Sequence, residues 1–227
     1  MMKLKFAGKI LPFIAVACLS GCMSTGPHLK SSISEGVAGL EARLPYAEYA
    51  NYFGYVDKSV KPQGKYKGKD AYYLYAWVPA AIDEIGISMI SPAFSAPSND
   101  DFVDQNFEKN GTDDKFFDTY IVLERMNIID NTKIAQGGRP LQTLGENDDS
   151  SELPKNPGGA SYNSLLRETS SINNPKDALV RGVYRITFTS FRSNVEGSYE
   201  ATIGTNVPGV KIAASLEELD ALVNTVN

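Results

Sequence analysis

Leu19-Ser20-Gly21-Cys22 places a thiol directly behind two small residues at the end of a short apolar run, where a signal peptide would be cut. Lys3, Lys5 and Lys9 give the positive n-region, and Ile10 to Leu19 the apolar h-region, which is too short to cross a bilayer. A thiol at such a cut site is a place for a lipid anchor, and one acyl chain holds a protein to a membrane marginally where two hold it stably. The competing reading is an ordinary secretory signal whose cut site falls near a cysteine. A second group is acidic: Asp118 at the head of a long apolar segment, and Glu146-Asn147-Asp148-Asp149 in a polar stretch. Read from the residues alone, these acids are a solvated turn and a cap on a backbone amide. They do not form an EF-hand loop, because Ser150-Ser151 follows Asp149 without the spaced acids or the glycine. His28 is the only histidine and falls in the expected tether, which excludes His-built zinc sites and nucleophiles activated by His. With no G-x-S-x-G and no phosphate-binding glycine loop, the enzyme reading narrows to a carboxylate-pair hydrolase. The third group is aromatic: Tyr73, Tyr75 and Trp77 alternate with Tyr72, Leu74, Ala76 and Val78, as a sugar-stacking platform or as ordinary sheet core.

The elements that must hold these groups are mostly strands. Ala50 to Val56, Asp70 to Val78, Ile87 to Ile90, Phe116 to Ile128, Tyr162 to Arg167, Leu179 to Phe191 and Gly197 to Ile203 are β-branched and aromatic, separated by Gly, Pro, Asn and Asp. Pro79 to Ile85 predicts one or two helical turns, and Asp100 to Lys109 a short helix entered through Ser98 or Asn99. Ser215-Leu216-Glu217-Glu218 is a capping box ahead of Leu216, Leu219, Val223 and Val226, which predicts a C-terminal helix. Residues 129–159 read as a long polar loop, a feature that is usually functional or disordered. The absence of a βαβ rhythm favours a mainly β fold, an antiparallel sandwich with short helical insertions.

Three units are expected: a signal peptide over 1–21, the lipidated Cys22 with a flexible tether over 22–44, and a single β-sandwich domain over 45–227. An ordered strand at Glu41 to Pro45 is the alternative for the end of the tether. Removing 1–21 takes three of the 22 basic residues and none of the 27 acidic ones, leaving 19 against 27 and a net charge of −8. That balance argues against nucleic acid and against an electrostatic hold on anionic lipid. Both cysteines, Cys18 and Cys22, are used before the domain starts, so no disulfide is available to it.

Over nearly the whole mature chain these segments resemble the major surface lipoproteins of leptospires, grouped as surface lipoproteins of the Spirochaetales order. The resemblance is carried by LPY at 44–46, NYFGYV at 51–56, KDAYYLYAWVPA at 69–80, MISP at 89–92, FDT and ERM between 117 and 126, YNSL at 162–165, LVRGVYRITFT at 179–189 and GSYEATIG at 197–204. L-S-G-C in turn resembles the lipobox of bacterial lipoproteins. The family implies a jelly-roll-like β-sandwich, a lipid anchor in the outer membrane, a bound calcium ion, and adhesion to extracellular matrix proteins; the aromatic residues keep glycans as the alternative ligands. By the same resemblance the calcium ligands are Asp118, Thr119, Asp148, Asp149 and Tyr162, the last through its carbonyl, a set of oxygens suited to calcium. Two departures weaken the expectation of matrix adhesion. The acidic run at 146–149 is shorter than the family's, and Lys211 is the last lysine where the family has a lysine-rich tail. Met23 after the cysteine points to transport onward to the outer membrane, by analogy with other bacterial lipoproteins. The oligomeric state, homo-oligomer included, stays open.

Overall fold

The pleat sends successive side chains to opposite faces, so a strand that is apolar at every second position is driven to bury one face against a second sheet. The computed structural model describes residues 29–37, 40–171 and 173–225. The expected signal, Cys22, His28 and Val226 therefore lie outside the described residues. In chain order the strands are β1 (Ser34–Val37), β2 (Leu40–Arg43), β3 (Glu48–Val56), β4 (Gly64–Tyr66), β5 (Lys69–Val78), β6 (Glu84–Ile90) and β7 (Phe102–Val103). After helix α1 (Gln105–Asn110) come β8 (Thr119–Met126), a 3-10 turn (Asn131–Gln136), β9 (Pro140–Asn147), β10 (Ser164–Thr169), β11 (Gly182–Ser190), β12 (Gly197–Thr205), β13 (Lys211–Ala213) and helix α2 (Leu216–Asn224).

Two sheets face each other, ordered β10-β6-β12-β3-β7 and β13-β5-β11-β8-β9, with β4 also paired to β5. Every pairing is antiparallel except β3 with β7, which gives the β-sandwich the sequence predicts. The core between them takes Leu74, Ala76, Ile121, Leu123, Ile186 and Phe188 from one sheet and Ile87, Met89, Ala201 and Ile203 from the other. The predicted division of β5 holds: Tyr72, Leu74, Ala76 and Val78 enter this core. Trp77 enters a separate cluster with Met126, Ile134, Val183 and Leu219, under α2.

Local signals fail where burial outweighs them. Pro79 to Ile85 forms no helix, because Ile82 is 3% exposed in the core and its N–H is spent on Leu179 O at 3.0 Å. The helix expected over 100–109 starts later. Phe102 stacks on Tyr52 at 5.0 Å and pairs as β7, which leaves Asp104 to cap Asn106 N at 3.0 Å. The polar stretch 129–159 is only partly a loop. Ile134 anchors the 3-10 turn at 0% exposure, and β9 runs along β8 as an edge strand with two register shifts.

The largest correction is at the N-terminus, where a flexible tether was expected over 22–44. From Leu29 onward the described part of that segment is ordered, β1 pairing with β2 as a hairpin. Leu29, 1% exposed, joins Tyr46, Ile90, Leu153 and Leu165 in a third apolar cluster. Ser31 N and Leu44 O bond at 3.0 Å, Arg167 Nε donates to Lys30 O at 2.6 Å, and Tyr49 OH donates to Leu29 O at 3.0 Å. Residues 29–37 and 40–46 thus form a strap laid on the sandwich.

Candidate cation site

Asp118 sits immediately ahead of β8, where its carbonyl accepts Phe191 N–H at 3.0 Å and fixes it beside the β11–β12 connection. Thr119 opens β8 and donates its N–H to Tyr162 O at 3.0 Å. Ser164, at the start of β10, ties the parts together. Its N–H donates to Thr119 Oγ1 at 2.8 Å, and its hydroxyl lies 2.6 Å from Thr119 O and 3.2 Å from Asp148 O. Asn147 Oδ1 accepts Leu165 N–H at 3.0 Å, which pins the acidic loop to the same strand. All five residues named by the resemblance are therefore drawn to one end of the sandwich, around a serine that belongs to the YNSL motif.

The electrostatics of this corner are unbalanced. Asp118 is 6% exposed, and neither of its carboxylate oxygens has a hydrogen-bond partner. Arg192 Nε is 3.0 Å from Asp118 Oδ2 but is not aligned for a hydrogen bond, and its guanidinium carbon lies 4.2 Å from the Tyr162 ring centroid. Burial pushes the Asp118 carboxyl up to about 6, with the Asp149 and Asp148 charges adding to the shift and Arg192 opposing it. Asp149 is also raised, by burial and by Asp148, again against Arg192. Three acids facing one half-exposed guanidinium form an oxygen-rich corner short of positive charge. A hard cation suits such a donor set. Among the described residues, no three side chains of the Asp, Glu, His or Cys type stand close enough to form a ready metal cage. The acids are gathered at the corner without converging on one point.

Arg192 is the member that sequence reasoning missed. It lies 74 positions from Asp118, at the end of a strand of ordinary composition, with no local motif. The other candidate chemistries lose ground. Trp77, the centre of the sugar-stacking reading, is 5% exposed beneath α2 with Arg181 at 5.2 Å from its ring. Tyr73 and Tyr75 keep partial exposure, edge to face at 6.4 Å, with the Arg185 guanidinium covering Tyr73 at 4.2 Å. The cavity of about 610 Å³ next to the acidic corner is lined by Lys65, Lys69, Asp70, Arg192 and Ser193, and not by Asp118 or Asp149.

Compared with known families, the chain matches the one described as surface lipoprotein of Spirochaetales order over residues 40–212. The match covers both sheets and every candidate ligand, and it starts inside the strap. No curated protein matches the chain.

Proposed function

The chain belongs to the surface lipoproteins of the Spirochaetales order, and from that premise we propose a calcium-binding envelope protein, lipid-anchored in the outer membrane through Cys22, that works by binding rather than by catalysis. The observation that supports the cation is Asp118, a buried carboxylate with both oxygens unbonded and two further acids pressing on it. Arg192 compensates this charge only from an exposed position, and a buried charge that is incompletely paired costs several kcal/mol, by order of magnitude, unless a further partner supplies what is missing. The carboxylates of Asp118, Asp148 and Asp149 would hold calcium with the Thr119 oxygen and the Tyr162 carbonyl. Water would complete the roughly six to eight oxygens that this ion takes. A non-catalytic role is supported by the family and by the placing of the acids, which do not line the cavity beside them.

Thermal unfolding in calcium and in chelator tests this reading. Calcium is expected to raise the melting temperature, since a ligand bound only by the folded state stabilises it by mass action. Asp148→Ala with Asp149→Ala, or Asp118→Asn alone, is expected to abolish the rise. An unmutated domain that gives no calcium response in titration overturns the site. The proposed outward ligand is an extracellular matrix protein. Solid-phase binding to matrix proteins, with and without calcium, checks it, and no binding in either state leaves the role of an abundant envelope component.

A further inference from the structure

We propose that Arg192 is a built-in counter-cation that a bound divalent ion must displace, so that this side chain sets the threshold at which the acidic corner fills. The inference rests on the calcium reading above. One guanidinium touches two of the five candidate ligand residues, with Nε 3.0 Å from Asp118 Oδ2 and Cζ 4.2 Å above the Tyr162 ring. It stands against the Asp118 carboxylate, the buried member of the candidate set, and over the side chain of Tyr162. Two cations cannot share that carboxylate edge, because like charges a few ångströms apart repel strongly where one side is buried.

Arginine does not lose its proton in a protein, so its charge can leave the corner only if the side chain moves. The structure permits such a movement. The Arg192 side chain is 57% exposed, and it borders the cavity of about 610 Å³ whose lining includes Gly68, Ser193 and Asn194. Its hold on Asp118 is also incomplete, since the misaligned contact leaves both carboxylate oxygens without a hydrogen bond. A single delocalised charge facing three acids offsets part of their mutual repulsion. A divalent ion brings twice the charge to the same oxygens and can take the place over.

The test uses the mature lipoprotein purified in detergent and stripped of calcium, titrated with calcium chloride by calorimetry. Arg192→Gln is expected to tighten calcium binding by about threefold to fivefold, the upper part of the range for removing a partly exposed ion-pair partner. The same variant is expected to melt lower than the unmutated protein in chelator. Arg192→Lys, which keeps a charge but loses the planar stack on Tyr162, should lie between the two. Lys65→Gln removes one charge from the same cavity without touching Asp118 and should leave the affinity within about twofold, as expected of an exposed charge. In the unmutated protein, the Arg192 Nε–H resonance should shift when calcium saturates the site. Calcium affinity unchanged or weakened in Arg192→Gln, or raised no more than in Lys65→Gln, overturns the displacement while leaving the calcium reading intact. Binding seen only in Arg192→Gln supports the displacement in its strongest form, with the corner closed in the unmutated chain. If neither protein binds, both readings fall.

Discussion

Glu84 is 2% exposed and is held wholly by donors from the strap and from Tyr46. Ser32 N–H reaches its two oxygens at 2.9 and 3.1 Å, and the Ser32 hydroxyl and the Tyr46 phenol donate as well. Burial pushes its carboxyl up, but these hydrogen bonds outweigh burial and leave it below its ordinary value of 4.5. A carboxyl lowered in the folded state contributes stability that is complete above that ordinary value and is lost as pH falls through the lowered one. Glu84→Gln sets an amide donor against donors and is expected to cost about 2–4 kcal/mol. Urea unfolding at neutral pH measures that loss, and the variant should show a shallower fall in stability than the unmutated protein below pH 4.5. The ring of Tyr46 lies over Gly86 and Gly204, where a Cβ on Gly204 would meet Tyr46 Cδ2 at 2.3 Å. Gly204→Ala is therefore expected to cost about 1–3 kcal/mol, the usual penalty of overpacking. At this scale the sequence was legible only where a motif carried the chemistry. Asp118 and the Asp148-Asp149 pair stood out through resemblance, while Arg192 and Glu84 act on partners 74 and 52 positions away, and no local spacing encodes that.

The C-terminal helix shows which elements the sequence does encode. Ser215 Oγ accepts Glu218 N–H at 3.1 Å, as the capping box predicts, while Glu218 reaches back to Ala214 N–H at 3.1 Å, one residue beyond the expected partner. The apolar side brings Leu219 to 0% exposure against Trp77. Because Trp77 is the only tryptophan, its fluorescence reports on the cluster beneath this helix. Leu219→Ala is expected to cost about 2–5 kcal/mol, as buried leucine truncations do. The emission of Trp77 should move to the red as α2 loosens, and an unshifted spectrum would place the cover elsewhere. Strands dense in aromatic and β-branched residues, such as β5, β8 and β11, were readable because their composition alone calls for a buried strand. The edge elements were not. β7 is two residues held by one ring stack, β9 alternates only between half-buried and exposed, and the strap is ordered by contacts with Glu84, Leu153 and Arg167, far along the chain.

For the whole molecule, the strap changes how an anchored body would be carried. A tether running to residue 44 would let the domain swing freely. With the body ordered from Leu29, only the seven residues from Cys22 separate it from the proposed lipid, at most about 25 Å of extended chain. Leu29 and Leu153 belong to one apolar cluster, and Leu153 follows Asp148 and Asp149 in the same loop, so the strap and the acidic loop meet in that cluster. Calcium at that corner and release of the strap should therefore be coupled through Leu153. Trypsin added to intact cells tests both the display and the coupling. Lys30 is an exposed cleavage point, but its carbonyl is held by Arg167 and the next residue, Ser31, is buried, so cutting requires the strap to lift. Release of the body into the medium is expected to be slow in calcium, faster in chelator, and fastest in Glu84→Gln, where the donors on the strap lose one of their two acceptor oxygens. Release seen only after the outer membrane is permeabilised would put the domain on the periplasmic side and end the case for outward adhesion. Release at one rate in all three conditions would show that the strap does not hold the chain in place.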